Sequence, residues 1–213
     1  MRQYLITSVL LLIGVVMYFG YSSDLFASVS TCFDSACTVV CDNEPGGYCD
    51  GDEGTNGNDV ICGSGNADII NGGKGNDKLC GAWGDDIISG GKGNDCIDAS
   101  NGYDEVSGGM GNDYIIGGSE DDLLDGGKGN DFVRGNSGND EIYGGDGRDY
   151  DEEVTADCTA GSDFAGLYGD DGDDYIEGGP DTDYINGGAN TDTCIGGPTQ
   201  GPQQGNDTIT MCE

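Results

Sequence analysis

The chain has 213 residues, enough for one ordinary domain or two small ones. Its 41 acidic residues against 7 Lys and Arg residues give a formal charge of −34, which excludes nucleic acid and anionic membrane surfaces as general partners. Such a charge is typical of disordered chains. Only a regular sequence pattern can therefore indicate that this chain folds. The composition favours a cation as partner, and carboxylate oxygens without any histidine favour calcium.

Residues 1–30 predict export. Arg2 is followed by 21 uncharged residues, from Gln3 to Ser23, with an apolar centre from Leu10 to Phe19. This layout is typical of a secretory signal peptide. The alternative is an uncleaved signal anchor, because about 20 apolar residues can span a bilayer. Both arrangements predict that the acidic part of the chain is extracellular or on the cell surface.

The cysteines indicate disulfide bonds. All ten follow residue 31, and their even number allows up to five bonds in an exported chain. Zinc is the alternative, but the chain has no histidine and no CxxC pair. We predict a cysteine-rich N-terminal cap over residues 31–53, held together by Cys32, Cys37, Cys41 and Cys49, that shields the end of the following array.

From Gly54 to Glu152 the chain repeats every nine residues without a gap. Position six is aspartate in all eleven repeats, and position eight is aliphatic in the first ten. A disordered chain has no reason to keep this phase over 99 residues. The position-six aspartates are Asp59, Asp68, Asp77, Asp86, Asp95, Asp104, Asp113, Asp122, Asp131, Asp140 and Asp149.

The pattern returns at Gly169 with three more position-six aspartates, which are Asp174, Asp183 and Asp192. Between Asp149 and Asp174 lie 16 residues more than the repeat requires. Asp151 stands where an aliphatic residue belongs, so the first array is expected to end there. We therefore predict eleven repeats over 54–152, an insert loop over 153–168, and C-terminal repeats with a cap over 169–213.

Each repeat predicts one turn and one short strand. The first six positions are rich in Gly, Asn and Asp, which favour turns because glycine adopts positive φ without steric cost. Positions seven to nine predict a three-residue strand in which only position eight points inward, since side chains alternate along a strand. Two repeats then form an 18-residue coil, and coils stack about 4.8 Å apart by parallel strand pairing. Several coils are needed, because one coil cannot bury its apolar face.

The motif G-G-x-G-N-D-x-aliphatic-x, as in GGKGNDKLC from Gly72, resembles the hemolysin-type calcium-binding (RTX) nonapeptide repeat. The resemblance implies an all-β fold, a right-handed parallel β-roll of two sheets. It implies that each turn binds Ca²⁺ through its position-six aspartate and backbone carbonyl groups, and that each ion is shared with the turn one coil further on. The implied metal ligands are the fourteen aspartates named above. The implied pairs are Asp59/Asp77, Asp77/Asp95, Asp95/Asp113, Asp113/Asp131, Asp131/Asp149, Asp68/Asp86, Asp86/Asp104, Asp104/Asp122, Asp122/Asp140 and Asp174/Asp192.

Three turns depart from this motif. They are GSGNAD ending at Asp68, ASNGYD ending at Asp104, and GGSEDD ending at Asp122, in which Glu120 replaces a glycine. We expect the sites that use these turns to be weak or empty.

Several cysteines of the repeats leave alternatives open. Cys62 and Cys80 are one coil apart at position nine, so they can form a bridge between neighbouring strands. Cys194 stands at an inward position eight. It can form a bridge to Cys212 or to Cys158, or remain a small buried apolar side chain.

Lys74, Lys92 and Lys128 share position three on one edge of the predicted roll. Two interpretations are open. We favour relief of charge beside the calcium-binding carboxylates over a binding stripe for a partner.

These features predict an exported calcium-binding protein that folds on binding several Ca²⁺ ions, as a structural or surface module. The alternative is an adhesin or ligand-binding surface protein that uses the roll or residues 150–168. An enzyme is disfavoured, because no separate catalytic domain and no histidine are present for a catalytic triad or a zinc protease site. The resembled family usually has a C-terminal export signal and rarely contains cysteine, so its toxin function and export route are not carried over.

Overall fold

The structure is a computed structural model that describes residues 39–40, 54–149, 166–180, 182–197 and 208–212, with the backbone alone at 39–40. The predictions for the export segment 1–30, for most of the cap 31–53 and for residues 150–165 of the insert region fall outside these ranges. No helix of the described part is long and apolar enough to cross a membrane.

The described residues form two parallel β-sheets. Successive strands from β2 onward alternate between the sheets, so two repeats make one coil of a solenoid. The predicted all-β parallel roll is therefore confirmed. Sheet A contains, in spatial order, β1 Val39–Val40, β2 Val60–Cys62, β4 Lys78–Trp83, β6 Cys96–Asn101, β8 Tyr114–Ser119, β10 Phe132–Ser137, β12 Gly166–Asp171, β14 Tyr184–Ala189 and β16 Thr208–Thr210. Sheet B contains β3 Ile69–Lys74, β5 Ile87–Lys92, β7 Glu105–Met110, β9 Leu123–Lys128, β11 Glu141–Asp146, β13 Tyr175–Glu177 and β15 Thr193–Ile195.

Most strands are longer than the sequence predicted. A typical strand has six residues instead of three, because it continues through the first three positions of the next repeat. The prediction of a six-residue turn is therefore wrong for positions one to three. The Gly-Gly pair there is extended because backbone pairing between stacked coils overrides the low strand propensity of glycine. In β7, Val106 at position eight and Gly108 at position one both face inward.

The core is a single column of side chains between the two sheets. Position eight of strands β2 to β14 supplies it, and its members are at most 1% exposed. Burying one aliphatic side chain contributes about 1.5–3 kcal/mol, whereas ordering nine residues costs on the order of 10 kcal/mol in backbone entropy. The column therefore supplies only part of the free energy that is needed to order a repeat. Its members are Ile61, Ile70, Leu79, Ile88, Ile97, Val106, Ile115, Leu124, Val133, Ile142, Leu167, Ile176 and Ile185.

The insert does not interrupt the stack. β12 starts 25 residues after β11, whereas β11 starts 9 residues after β10. In spite of this gap β12 pairs in register with β10, and Leu167 lies opposite Val133. Leu167 is fully buried and takes the core position for which Asp151 is unsuited. Gly166–Tyr168, which the sequence analysis placed at the end of the insert, form the first half of β12.

Disulfide bonds and a short strand lie at the ends of the roll. Cys194 is bonded to Cys212, with the Cα atoms 5.9 Å apart, and both side chains pack against the core column. Cys62 and Cys80 lie opposite each other in register, and each is disulfide-bonded. No bridge within the described part of the chain joins these two to each other, so that alternative is wrong. At the N-terminal end, Val39–Val40 extends sheet A by pairing with β2.

The inward orientation of position eight predicts a difference between two matched substitutions. Ile115→Val removes a buried methylene group from the middle of the column and should cost about 1 kcal/mol of unfolding free energy. Ile87→Val makes the same change at a side chain that is 47% exposed on sheet B, and should cost less than about 0.5 kcal/mol. Urea denaturation of both variants in calcium would check this, and equal losses would contradict the assigned orientation.

Candidate metal sites

The position-six aspartates stand at the turns between the sheets and form one column along each edge of the roll. Thirteen of the fourteen are buried, with at most 3% exposure, and Asp59 at the N-terminal end is half-buried. We call the columns edge 1 and edge 2. Edge 1 contains Asp59, Asp77, Asp95, Asp113, Asp131, Asp149 and Asp183, and edge 2 contains Asp68, Asp86, Asp104, Asp122, Asp140, Asp174 and Asp192.

Consecutive aspartates of a column are joined by hydrogen bonds. The backbone N–H of one aspartate donates to Oδ1 of the aspartate one coil further on, over 2.7 to 3.2 Å. In the middle of edge 1, for example, Asp95 N–H donates to Asp113 over 2.8 Å, and Asp113 N–H donates to Asp131 over 2.8 Å. All ten pairs named from the sequence are brought together in this way.

Two pairs that the sequence analysis missed join the columns across the insert. Asp140 N–H donates to Asp174 over 2.8 Å, and Asp149 N–H donates to Asp183 over 3.2 Å. The partners are 34 residues apart in both pairs, which is one coil plus the 16 extra residues of the insert. If the 16 extra residues are left out when the repeats are counted, both pairs can be predicted from the sequence. Each column is therefore an unbroken row of seven aspartates.

In ten of these aspartates the second carboxylate oxygen, Oδ2, is buried without a hydrogen-bond partner. Leaving a buried polar atom unsatisfied costs about 1–3 kcal/mol, and more when the group is charged, so a row of bare carboxylates is unfavourable. The N-terminal Asp59 differs, because its carboxylate accepts hydrogen bonds from the backbone N–H and the hydroxyl of Thr55. The ten are Asp77, Asp86, Asp95, Asp104, Asp113, Asp122, Asp131, Asp140, Asp174 and Asp192.

The glycine at position one keeps the space beside this oxygen open. A Cβ atom added to Gly108 would lie 2.6 Å from Oδ2 of Asp113, and one added to Gly90 would lie 2.6 Å from Oδ2 of Asp95. Both separations are shorter than real Cβ contacts. A side chain at this position would therefore fill the space next to the unsatisfied carboxylate oxygen.

The available donor atoms fit calcium. Among the residues that the structure describes, no point is surrounded by three or more Asp, Glu or Cys side chains, so a cation between two turns has two carboxylates and needs other oxygens. The position-four carbonyl oxygens of Gly75, Gly93 and Gly111 accept no hydrogen bond from the described residues. Carboxylate and carbonyl oxygens are the donors that Ca²⁺ takes up in shells of about six to eight ligands, whereas structural zinc sites use nitrogen or sulfur.

Burial raises the pKa of these carboxyl groups when no cation is present. The pKa of Asp86, Asp113 and Asp122 rises to about 8, mainly because burial disfavours the charged form and further because neighbouring aspartates of the column repel. The hydrogen bond from the preceding backbone N–H lowers the pKa but does not offset burial. The pKa of Asp131 and Asp140 rises to about 7. Protons and cations therefore compete for these oxygens near neutral pH.

These shifts predict opposite pH dependences with and without calcium. A carboxyl group whose folded-state pKa lies above its unfolded value of 3.8 stabilises the fold at low pH, and this stability is lost as pH rises towards about 8. Acidification from pH 8 towards pH 4 should therefore raise the folded fraction of the metal-free chain, until other groups titrate. In saturating calcium the same acidification should lower Tm, because protons displace the ion. Circular dichroism in chelator and thermal melts in calcium would test this over the pH range, and a loss of β signal on acidification in chelator would contradict it.

Position five carries a second hydrogen-bond ladder that the sequence analysis missed. On edge 1 the asparagine Oδ1 accepts the backbone N–H of the position-five residue one coil further on, so this ladder runs opposite to that of the aspartates. Asn94 N–H donates to Asn76 over 3.0 Å, and Asn112 N–H donates to Asn94 over 2.9 Å. The recurrence of asparagine at position five from Asn58 to Asn130 was the available signal. Edge 1 is thus held by two ladders of opposite polarity.

The irregular turns keep their aspartates in the columns. Asp104 and Asp122 are 3% exposed, and each remains linked to its neighbours. Left-handed φ values at residues other than glycine occur in these two turns, with 82° at Ser100 and 74° at Glu120, and also in regular turns of edge 2, with 84° at Ala82. Such conformations cost of order 1–3 kcal/mol in residues other than glycine, so these turns of edge 2 are strained. The expectation that their sites are weak or empty stays a prediction.

Comparison with known proteins agrees with this geometry. The family model described as RTX calcium-binding nonapeptide repeat (4 copies) matches residues 53–88, 81–115, 89–124, 116–151 and 167–198. Together these matches cover more than half of the chain and include all fourteen aspartates of the two columns. A search of curated proteins found no match to the chain.

Proposed function

The chain belongs to the RTX calcium-binding nonapeptide repeat family, and from this premise we propose that it is an exported protein that folds on binding several Ca²⁺ ions. Its role is that of a structural or surface module and not that of an enzyme. The observation that carries the proposal is the row of buried Oδ2 atoms without hydrogen-bond partners along each edge.

The proposed ligands are the paired aspartates of each column, together with position-four carbonyl oxygens. Bound Ca²⁺ would supply two positive charges between stacked turns. The residues of the chain do the remainder: Oδ1 orders the backbone of the preceding turn, Oδ2 faces the space left by the position-one glycine, and the core column aligns the coils. Asp113, for example, would contribute to the sites on both of its sides.

Electrostatic repulsion and the thin core support folding on binding. Without a cation, like charges stand one coil apart along both columns, and one aliphatic side chain per repeat does not offset the entropy of nine residues. Because the site does not exist in the unfolded chain, the free energy of metal binding becomes free energy of folding. Extracellular calcium modules bind at about 10⁻⁴–10⁻³ M, a range that would fold the chain only after export.

Circular dichroism of the disulfide-intact chain during calcium titration would test the proposal. After chelation we expect little β signal, followed by a cooperative gain with Ca²⁺ and no comparable gain with Mg²⁺, which requires smaller and more regular octahedral sites. A full β signal in chelator would mean that the core and the disulfide bonds suffice. Calcium would then be accessory, and the proposed folding on binding would be wrong.

A further inference from the structure

Three lysines align along edge 1, at position three of its turns. The register pairs Lys74 with Lys92, Lys92 with Met110, and Met110 with Lys128 on neighbouring strands of sheet B. The three lysines are exposed. The Lys74 ammonium group donates to Oδ1 of Asn56 over 2.8 Å, and the Lys92 side chain makes no hydrogen bond or ion pair with other described residues. The Lys128 side chain is 61% exposed where it approaches Asp146 at 3.3 Å. This row, with Met110 between its members, is called the lysine row below.

The exposed charges of the two edges have opposite sign in the described part of the chain. Positions three to five of the edge 1 turns carry the lysine row and Arg148 as cations, against one exposed carboxylate, that of Asp146. The same positions on edge 2 carry no cation and five exposed carboxylates, which are Asp85, Glu120, Asp121, Asp171 and Asp173. Cations that served only to relieve exposed negative charge would be expected on edge 2. Each edge also has a column of seven aspartates, so relief of charge beside those carboxylates does not explain why the cations stand on edge 1.

Hydrogen-bond donors accompany the lysine row. The Oδ1 atoms of Asn76, Asn94 and Asn112 are occupied by the backbone ladder. Their Nδ2 groups make no hydrogen bond with other described residues, so each has two N–H donors to offer. Three neighbouring turns of edge 1 thus present amide donors, and two of them add the ammonium groups of Lys74 and Lys92. Donors that repeat along a line and outnumber the acceptors beside them are suited to a ligand that repeats its anionic groups along a line.

We propose that edge 1 of the calcium-loaded roll binds a linear acidic polysaccharide, with its carboxylate or sulfate groups along the lysine row. The proposal rests on the proposed calcium function. Without calcium the seven aspartates beneath the row oppose an anionic ligand, whereas each bound Ca²⁺ cancels two of those charges. Calcium therefore both folds this surface and changes the sign of its charge. Coils repeat about every 4.8 Å, which is close to the length of one sugar residue in an extended chain.

The shape of the cationic surface favours a polysaccharide over a membrane. The lysine row is one residue wide, and the adjacent outer face of sheet B carries exposed carboxylates at Glu105, Asp125 and Glu141. A planar anionic bilayer would meet these carboxylates together with the lysines and would be repelled by them. A single extended chain can follow the row without touching that face.

Fluorescence anisotropy with labelled oligosaccharides would test the proposal. The probes are a heparin oligosaccharide, which carries sulfate, and a hyaluronan oligosaccharide, which carries carboxylate. They are titrated with the disulfide-intact chain in calcium and in chelator. We expect binding in calcium only. The double variant Lys74→Gln, Lys92→Gln should weaken binding at least tenfold, because each cation near an anionic surface contributes about fivefold to the affinity. Met110→Lys, which fills the gap in the row, should tighten binding about fivefold.

Arg134→Gln is the matched control, because Arg134 is a cation on sheet A away from the row, and it should change affinity less than about twofold. Binding of one probe and not the other would support the proposal and identify the anionic group. Absence of binding to both probes, equal binding in chelator, unchanged binding by the double variant, or tighter binding to phosphatidylserine vesicles would overturn it. Circular dichroism of the same samples separates the outcomes: a calcium-folded chain that binds neither probe refutes only this inference.

Discussion

Gly111→Ala is expected to lower the unfolding free energy of the calcium-loaded roll by about 3 kcal/mol or more. Gly111 has a φ of +132°, a conformation that residues with a side chain rarely adopt. The added Cβ would lie 1.8 Å from the carbonyl oxygen of Gly93 and 2.5 Å from its carbonyl carbon. These are backbone atoms of the preceding coil, and the stacking of the coils prevents them from moving away.

Gly57→Ala provides a closely matched control, because Gly57 also occupies position four of an edge 1 turn. It stands at the first described turn, and among the described residues an added Cβ would meet only the Thr55 hydroxyl, at 3.6 Å. We expect a change of less than about 0.5 kcal/mol there. Denaturation in saturating calcium, followed by circular dichroism, would compare the two variants. Similar stabilities would mean that coil stacking at position four is not as tight as the structure places it.

Asp113→Asn should have opposite effects on the metal-free and the calcium-loaded roll. Asn retains an oxygen that can accept the Asp95 N–H, so the ladder can remain. It removes a buried carboxyl whose pKa burial raises to about 8, so the metal-free roll should become more stable at and above neutral pH. With calcium the variant loses a ligand at two proposed sites. At calcium about 100-fold above Kd, each site contributes about 2.7 kcal/mol, so the loss can approach 5 kcal/mol.

Asp121→Asn is the control for this prediction, because Asp121 is an exposed carboxylate at position five and not a member of either column. It also accepts a backbone N–H, from Asn139 over 2.8 Å, so the same change tests an acceptor without the buried charge. Calcium titration, and the β signal by circular dichroism in chelator, would be measured for both variants. If Asp113→Asn left the calcium midpoint unchanged, Asp113 would not be a calcium ligand. If it destabilised the metal-free roll, burial of charge would not be what opposes folding.

The sequence by itself determined the repeat, the aspartate columns within each block and the aliphatic core. A nine-residue period places Asp113 and Asp131 one coil apart and orients Ile115 inward. Neither consequence depends on the flanking segments. Residues of one type at the same position of successive repeats are therefore predicted to have the same surroundings in the fold. For the same reason the ten pairs named from the sequence lie side by side in the structure.

Other features depended on contacts between coils and were decided only by the tertiary structure. Local propensity reads Gly-Gly as a turn, yet Gly108 and Gly109 lie within a strand because neighbouring coils pair there. The spacing from Asp149 to Asp183 hides their pairing, because only the stack shows that the insert leaves the register intact. Each of these depends on which backbone lies against which, and that is set by stacking over the whole roll and not by the residues of one repeat.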